Sequence, residues 1–395
     1  MQMKSHAFVA PLLSSLLLAP ACFTLAGCGT RPVAVSEEAL PYDRAIAAAA
    51  DELFEQTRTL PRRLAGQDRG TVVLDPTIAA DSGQQTVATQ QMDRAIGERL
   101  QQQRQFELLP FQASSISTAQ YLLVGSLARA RTAYRLNLAL VEIRSGEVIG
   151  QSSALAHQDG IDMKPMNYYR DSPVLMKDET VDGYVRTSTT PAGHAADPTY
   201  LGRIAAATTV HEAAALYNAG RYREALAEYR KLSAAPGGNQ LRVLNGVYLS
   251  SVKLGRVAEA EEAFGRLVAY GLTQKNLSVK FLFNPGSTEF WSDHRLTSAY
   301  GMWLRQIARQ AGSAKTCMDI VGHSSKTGPE AVNDSLSARR ASFIRQKLSA
   351  ELPELAGRTR TVGMGSRHNL VGSGTDDVVD APDRRVDFSI VDCAA

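Results

Sequence analysis

The sequence predicts an α+β chain of several domains, and three patterns carry the prediction. Between residues 41 and 156, short apolar runs of strand character are interleaved with helical stripes. From about residue 198 to 270, a helical unit recurs after 35 residues. From Ser278 onward strands and helices alternate again, and two strands close the run. At 395 residues the chain is long enough for two or three domains. The expected architecture is an N-terminal α/β domain, central helical hairpins and a C-terminal βαβαββ sheet.

The first segment is expected outside that fold. Lys4 gives a positive n-region, an apolar run follows from Ala7 to Leu25, and "LAGC" ends at Cys28. Small residues before a cleavage point mark a secretory signal. With the cysteine directly after them, the segment resembles the bacterial lipobox. The resemblance implies a lipoprotein signal peptide over 1–27, acylation of Cys28, and a polar tether over 28–40. Several acyl chains on one residue, at roughly 0.8 kcal/mol per buried methylene, make such anchoring near-permanent. Gly29, where a retention signal would have aspartate, implies the outer membrane and its periplasmic face in a Gram-negative envelope. No later run reaches the roughly 18 apolar residues that span a bilayer. Cys22 leaves with the signal, and Cys317 and Cys393 remain. They form either a disulfide, which an oxidising periplasm favours, or two buried thiols.

Within 41–156, Ile46, Ala49, Ala50, Leu53 and Phe54 share a helix face, and "TVVLDPT" is a strand stopped by Asp-Pro. Val87, Met92, Ala95, Ile96 and Leu100 stripe a second helix; "FELLPF" and "YLLVGSL" are further strands. Tyr134, Leu136, Leu138 and Leu140 alternate, Arg144-Ser145-Gly146 turn, and Val148 begins the return of a hairpin. "YLLVGSL" followed by a hairpin with "IRSGEVI" resembles the small periplasmic domain of several outer-membrane lipoproteins. These are the flagellar lipoproteins, the activators of penicillin-binding proteins and the curli secretion lipoprotein. The resemblance implies a module that binds envelope proteins.

Residues 157–197 are rich in Gly, Pro, Asp and Thr without periodicity, and read as a linker or mobile flap. The segment 198–275 holds "ALYNAGRYREALAEYRKL" and then "YLSSVKLGRVAEAEEAFGRL", with Gly220-Arg221-Tyr222 aligned on Gly255-Arg256-Val257. Each unit reads as helix, glycine turn, helix, which resembles tetratricopeptide repeats. Two units are fewer than such arrays need alone, so they are expected to stack on neighbouring helices. Their face is either a partner groove or a spacer between domains.

In the last segment, 278–395, Val279, Phe281 and Phe283 share one face of the first strand. A helix with Leu296, Tyr300, Trp303, Leu304 and Ile307 leads to "CMDIVGH". After a polar loop comes a helix with Ala341, Ile344 and Leu348, then "TRTVGMG" and "RRVDFSIV". "GHSSKTG", "NDSLSARRA", "VGMGS" and "DRRVDFSIV", in that order and spacing, resemble the OmpA-like peptidoglycan-binding domain. The resemblance implies a mixed sheet of order 1-4-2-3 with strand 4 antiparallel to its neighbours. That topology brings Cys317 beside Cys393 and so implies their disulfide.

It also implies a ligand, the meso-diaminopimelate of the peptidoglycan stem peptide, whose free end carries an ammonium and a carboxylate on one carbon. Arg340, the second arginine of "LSARRA", is the residue implied to grip the carboxylate, because a guanidinium donates two parallel bonds. Asn333 is implied to bond the loop or the ligand, and Gly322 and Gly328 to permit the backbone path. Arg384 and Arg385 resemble the family's arginine pair, with Asp383 at its asparagine position; Arg385 is expected to brace the loop. His323 is expected to pack or bond locally. The departure is the acid. The family usually has Thr-Asp after "GH", where this chain has Ser324-Ser325, and Asn284 stands where an acid is common. A charge-assisted bond is worth about 1.5–3 kcal/mol against about 1 for a neutral one, so Ser325 implies binding weaker by about tenfold or more. Asp334 and Glu330 are the nearby candidates to compensate.

The formal net charge is +3 with no Lys/Arg block, so no nucleic-acid partner is expected. The seven histidines form no ligand-spaced cluster with Cys or acids, so neither a metal nor a cofactor is expected. There is no "GxSxG", "HExxH", phosphate loop or Cys–His pair, and no enzyme is expected. The expected function is a lipid-anchored link between outer membrane and peptidoglycan. The alternative is a scaffold subunit of an envelope assembly, with envelope proteins bound through 41–156 and 198–275 and a weakened hold on the wall.

Overall fold

Helix α1 (Tyr42–Gln56) buries the stripe expected of it, with Ile46, Ala49, Ala50, Leu53 and Phe54 all inside. The computed structural model describes residues 38–58, 69–175, 177–275, 277–284, 286–292, 297–372, 374, 376 and 380–393. The signal segment 1–27, Cys28 and most of the tether lie outside the described residues.

Strands β1 (Gly70–Leu74), β2 (Ile78–Ala79), β3 (Phe106–Leu109), β4 (Tyr121–Ala130), β5 (Ala133–Glu142) and β6 (Glu147–His157) form one sheet. Its order is β3-β1-β4-β5-β6, with β2 paired to β4. β1 runs parallel to β3 and β4, and β4, β5 and β6 form an antiparallel meander. Helix α2 (Val87–Gln102) begins in a reciprocal cap: Thr89 N donates to the Thr86 hydroxyl and Thr86 N to the Thr89 hydroxyl. Helix α3 (Ala113–Ile116) connects β3 to β4.

Both faces of this sheet are covered. β4 is buried without interruption from Leu122 to Leu127, so the period of two that marks a half-buried strand is lost there. α1 and α2 pack on Leu123, Leu127, Leu136, Leu138 and Leu140. The opposite face, with Val73, Leu122, Val124, Ala139 and Val141, needs a second layer. The stretch 157–197, read above as a linker or flap, supplies part of it. It holds helix α4 (Asn167–Asp171) and helix α5 (Glu179–Thr189), and α5 puts Val181 and Tyr184 into that core. Asp178 caps α5 by accepting from Val181 N at 3.1 Å. The rest comes from Tyr200, Ile204 and Ala207 in helices α6 (Pro198–Leu201) and α7 (Ile204–Asn218).

α7 pairs with α8 (Tyr222–Ser233), and α9 (Leu241–Lys253) with α10 (Val257–Thr273). The turns fall at Gly220 and Gly255, where the 35-residue repeat places them. The C-terminal segment then forms β7 (Leu277–Val279), α11 (Tyr300–Ser313), β8 (Cys317–Gly322), α12 (Glu330–Glu351), β9 (Thr359–Gly363) and β10 (Val386–Val391). Its sheet has the order β7-β10-β8-β9, which is 1-4-2-3. β10 is antiparallel to both β7 and β8, and β8 is parallel to β9. The register sets Val391 against Cys317, and Cys317 is disulfide-bonded to Cys393 with their Cα atoms 5.2 Å apart.

One core runs from the helical hairpins into this sheet. Phe264 of α10 stacks on Trp303 of α11 at 5.6 Å, and Trp303 Nε1 donates to the Tyr248 hydroxyl at 2.8 Å. A second joint lies at the sheet edge. Val174 bridges Val279 antiparallel, Leu175 N donates to Ser278 O at 3.2 Å, and Lys280 N donates to Pro173 O at 2.8 Å. Lys280 then buries its ammonium, which donates to Tyr169 O at 3.0 Å. Burial pushes its pKa down to about 8, against the opposing pull of Asp171.

Candidate ligand-binding site

β8 ends at Gly322, where a Cβ would stand 2.1 Å from Ser337 O of α12. Only glycine lets strand and helix approach this closely. His323, Ser324 and Ser325 follow, all buried, and the loop turns at Gly328 with φ +88° before entering α12. Asn333, in the first turn of α12, donates through Nδ2 to Thr327 O at 3.1 Å and Gly328 O at 3.4 Å. It therefore bonds the loop backbone.

Arg340 lies two turns further along α12 and is 3% exposed. Its Nε donates to Ser287 O and its Nη2 to Asn284 O, each at 3.2 Å. The guanidinium also lies over the Phe283 ring at 4.9 Å. Burial, with repulsion from Arg384 next, pushes the Arg340 pKa down to about 10. Asn284 meets Arg340 through its carbonyl, while its side-chain oxygen accepts from Ser292 N at 3.3 Å. Asn284 thus shapes the turn after β7 instead of presenting its amide to Arg340.

Ser324 is held by its backbone: Ser324 N donates to Gly365 O at 3.0 Å, and Asn369 Nδ2 donates to Ser324 O at 2.9 Å. Ser325 reaches a partner that the motif comparison did not single out. Its Oγ donates to Asp376 Oδ1 at 2.8 Å, and Arg384 Nη1 donates to the same oxygen at 2.8 Å. Asp376 belongs to the loop between β9 and β10. Asp383 shapes that loop by accepting from Leu370 N at 2.6 Å, Val371 N at 3.0 Å and Gly372 N at 2.6 Å. From the N-terminal sheet, Arg129 at the end of β4 donates through Nη2 to Gly372 O at 3.0 Å.

Asp334 and Glu330, the acids expected to compensate, turn elsewhere. Both meet Arg367 on the exposed start of α12, at 2.7 Å and 3.6 Å. Arg385 braces the loop: its Nε donates to Asp387 at 3.1 Å and its Nη1 to His368 O at 3.2 Å. His323 Nε2 lies 2.8 Å from Asp387 Oδ2. Burial pushes the Asp387 carboxyl up, but His323 and Arg385 outweigh it and hold the group below its usual range.

The structure therefore joins Ser325, Asp376 and Arg384 across one loop pair, with Asn333 bonding the first of these loops, while Arg340 bonds the Asn284 and Ser287 carbonyls. Arg384 pairs with the Asp376 carboxylate, and the Arg340 guanidinium is a second buried cation, so the site carries charges of both signs. Asp376 and Arg129 were not legible as partners of this site. The acid-rich run "TDDVVDAPD" ahead of the last strand is the sequence signal that marks Asp376. Among the described residues, no group of three His, Cys, Asp or Glu side chains is placed to hold a metal, and no helix is long and apolar enough to cross a membrane.

No family model matches the chain, and no curated protein does. Solved structures do. The peptidoglycan-associated lipoprotein of Burkholderia pseudomallei is similar at 23% identity over 29% of this chain and 89% of that one, with a TM-score of 0.24. The cell wall anchor of the T6SS from Pseudomonas aeruginosa is similar at 21% identity over 29% of this chain and 79% of that one, TM-score 0.24. The C-terminal domain of LpoB from Salmonella enterica is similar at 16% identity over 30% of this chain and all 100% of that one, TM-score 0.22.

Proposed function

We propose that this protein binds peptidoglycan non-covalently through its C-terminal segment, and that acylated Cys28 ties it to the outer membrane. The observation that carries the proposal is Arg340: a buried guanidinium on α12 that donates to Asn284 O and Ser287 O, within "GHSSKTG…NDSLSARRA". Its fork is the group for the carboxylate of a stem-peptide diaminopimelate. Ser324, Ser325 and Asn333 line the loop beside it, Gly322 and Gly328 allow its path, and Arg385 and Asn284 support the surrounding backbone. Segments 41–156 and 198–275 would bind envelope proteins, and 157–197 joins them as a packed connection. Mature protein is expected to pellet with purified sacculi. Arg340→Lys, which keeps the charge and loses the fork, is expected to weaken pelleting about tenfold or more. Undiminished pelleting of a folded Arg340→Lys variant removes Arg340 from the site.

A second reading is favoured by one observation. Arg340 is 3% exposed and already bonded to two main-chain carbonyls. A closed site of this kind fits a scaffold subunit that keeps the fold and holds the wall weakly. Sacculus binding far below that of a relative with an acid after "GH" supports this second reading.

A further inference from the structure

We propose that Asp376 is the acid of this site: it takes the ammonium of a zwitterionic ligand whose carboxylate is held by Arg340. The inference rests on the peptidoglycan-binding reading and concerns how this chain performs it without an acid at 325.

Three observations carry it. Asp376 Oδ1 lies 2.8 Å from Ser325 Oγ, so a carboxylate stands immediately beside the serine. The side chain of Asp376 is 31% exposed, while that of Arg384, its ion-pair partner, is 4% exposed. The carboxylate is therefore the part of this pair that a solute can reach. Third, among the described residues other acids near the loop are engaged elsewhere: Asp334 and Glu330 with Arg367, Asp387 with His323 and Arg385, Asp383 with three backbone amides, and Asp380 with the Asp376 amide.

The geometry also says how the acid is kept in place. Asp376 has φ +56°, a strained value for a non-glycine residue, which asparagine and aspartate tolerate best. Asp380 accepts from Asp376 N at 3.0 Å, and Arg129 holds the same loop at Gly372. An acid carried on a loop depends on those anchors, whereas an acid at the end of β8 would be fixed by the strand.

The experiment uses full-length mature protein and two probes: purified sacculi, and the same sacculi after N-acetylation removes the free ammonium groups. Wild type is expected to hold native sacculi about tenfold better than acetylated ones. Asp376→Asn, which keeps a hydrogen-bond acceptor for Ser325 and Arg384, is expected to bind both at the acetylated level. The double variant Asp376→Asn/Ser325→Asp is expected to recover the preference, because it returns one acid to the same place. If Asp376→Asn keeps the preference, the assignment is overturned while wall binding stands. Equal binding of both probes by wild type has the same meaning. If wild type binds neither, wall binding fails and the assignment with it.

Discussion

Arg340 and Phe283 form a buried stack: the guanidinium carbon lies 4.9 Å from the ring centroid, and both side chains are almost wholly enclosed. The same guanidinium satisfies the carbonyls of Asn284 and Ser287. Removing it leaves two acceptors short of a donor. Arg340→Ala is therefore expected to lower stability by about 2–4 kcal/mol, and Arg340→Lys by roughly half as much. Urea unfolding measures both. An unchanged midpoint for Arg340→Ala would contradict the bonded, stacked geometry. This structural cost is also why the lysine variant is the cleaner probe of binding.

Ser325→Asp is expected not to strengthen wall binding in the wild-type background. A carboxylate at 325 would meet Asp376 within hydrogen-bonding range, where Ser325 Oγ now donates at 2.8 Å. Like charges so close repel, and Arg384 can neutralise only one of them. Expected results are a loss of about 1 kcal/mol in stability and equal or weaker pelleting, both eased by moderate salt. Stronger pelleting of the single variant would mean that Asp376 does not occupy this place in solution.

Lys280 gives a dependence on pH with a definite sign. Its pKa is lowered on folding from 10.5 to about 8. Between those values the unfolded chain carries a proton that the folded chain has lost, so stability rises as pH goes up through that window. Below about 8 the charged form is buried at a cost, on the order of a few kcal/mol. Thermal melts from pH 7.5 to 10 should show the rise, and Lys280→Met should flatten it. An identical slope in the variant assigns the effect to another group.

Reducing the Cys317–Cys393 bridge is expected to cost up to about 4 kcal/mol, since it closes a loop of 76 residues. β8 and β10 keep their ladder, so the sheet's circular dichroism should persist while the melting temperature falls. A melting temperature indifferent to reductant would show that the bridge adds no constraint.

Arg129→Ala tests the contact between the N-terminal sheet and the site. It frees Gly372 O, although Asp383 still holds the Leu370, Val371 and Gly372 amides. Hydrogen exchange at those amides is expected to quicken by a few-fold, with no change in the β4 amides. Unaltered exchange means that Asp383 alone fixes the loop.

Legibility in the sequence followed the range over which each pattern acts. The stripe of α1, the 35-residue helical repeat and the strands around "CMDIVGH" and "RRVDFSIV" are local, and each element formed where its residues placed it. The resemblance supplied the order 1-4-2-3, which local periodicity cannot. Helix α5 was hidden because Gly183, Asp182 and several threonines dilute its stripe, although Val181 and Tyr184 are core residues. The mostly apolar run "YLLVGSL" was the indirect signal, since a strand buried on both faces, as Leu122–Leu127 is, needs cover on both. Around the loop, the bonds of Asn333 to Thr327 O and Gly328 O span only a few residues, and Gly322 acts at one packed crossing with α12, which is the range a local motif can mark. The pairing of Ser325 with Asp376 spans 51 residues and two loops, and no periodic pattern encodes it.

The bridge between Val174 and Val279 has a consequence for how the C-terminal sheet meets its surroundings. A strand on the rim of a sheet normally offers its unpaired amides to any extended peptide that passes. Here that rim has been taken by the chain's own residues 173–175, and Lys280 fastens the arrangement from beneath. The sheet therefore cannot recruit a peptide along β7, nor swivel like a weight on a string. A load on the C-terminal sheet would pass through this strand pair and the shared core to the helices behind it.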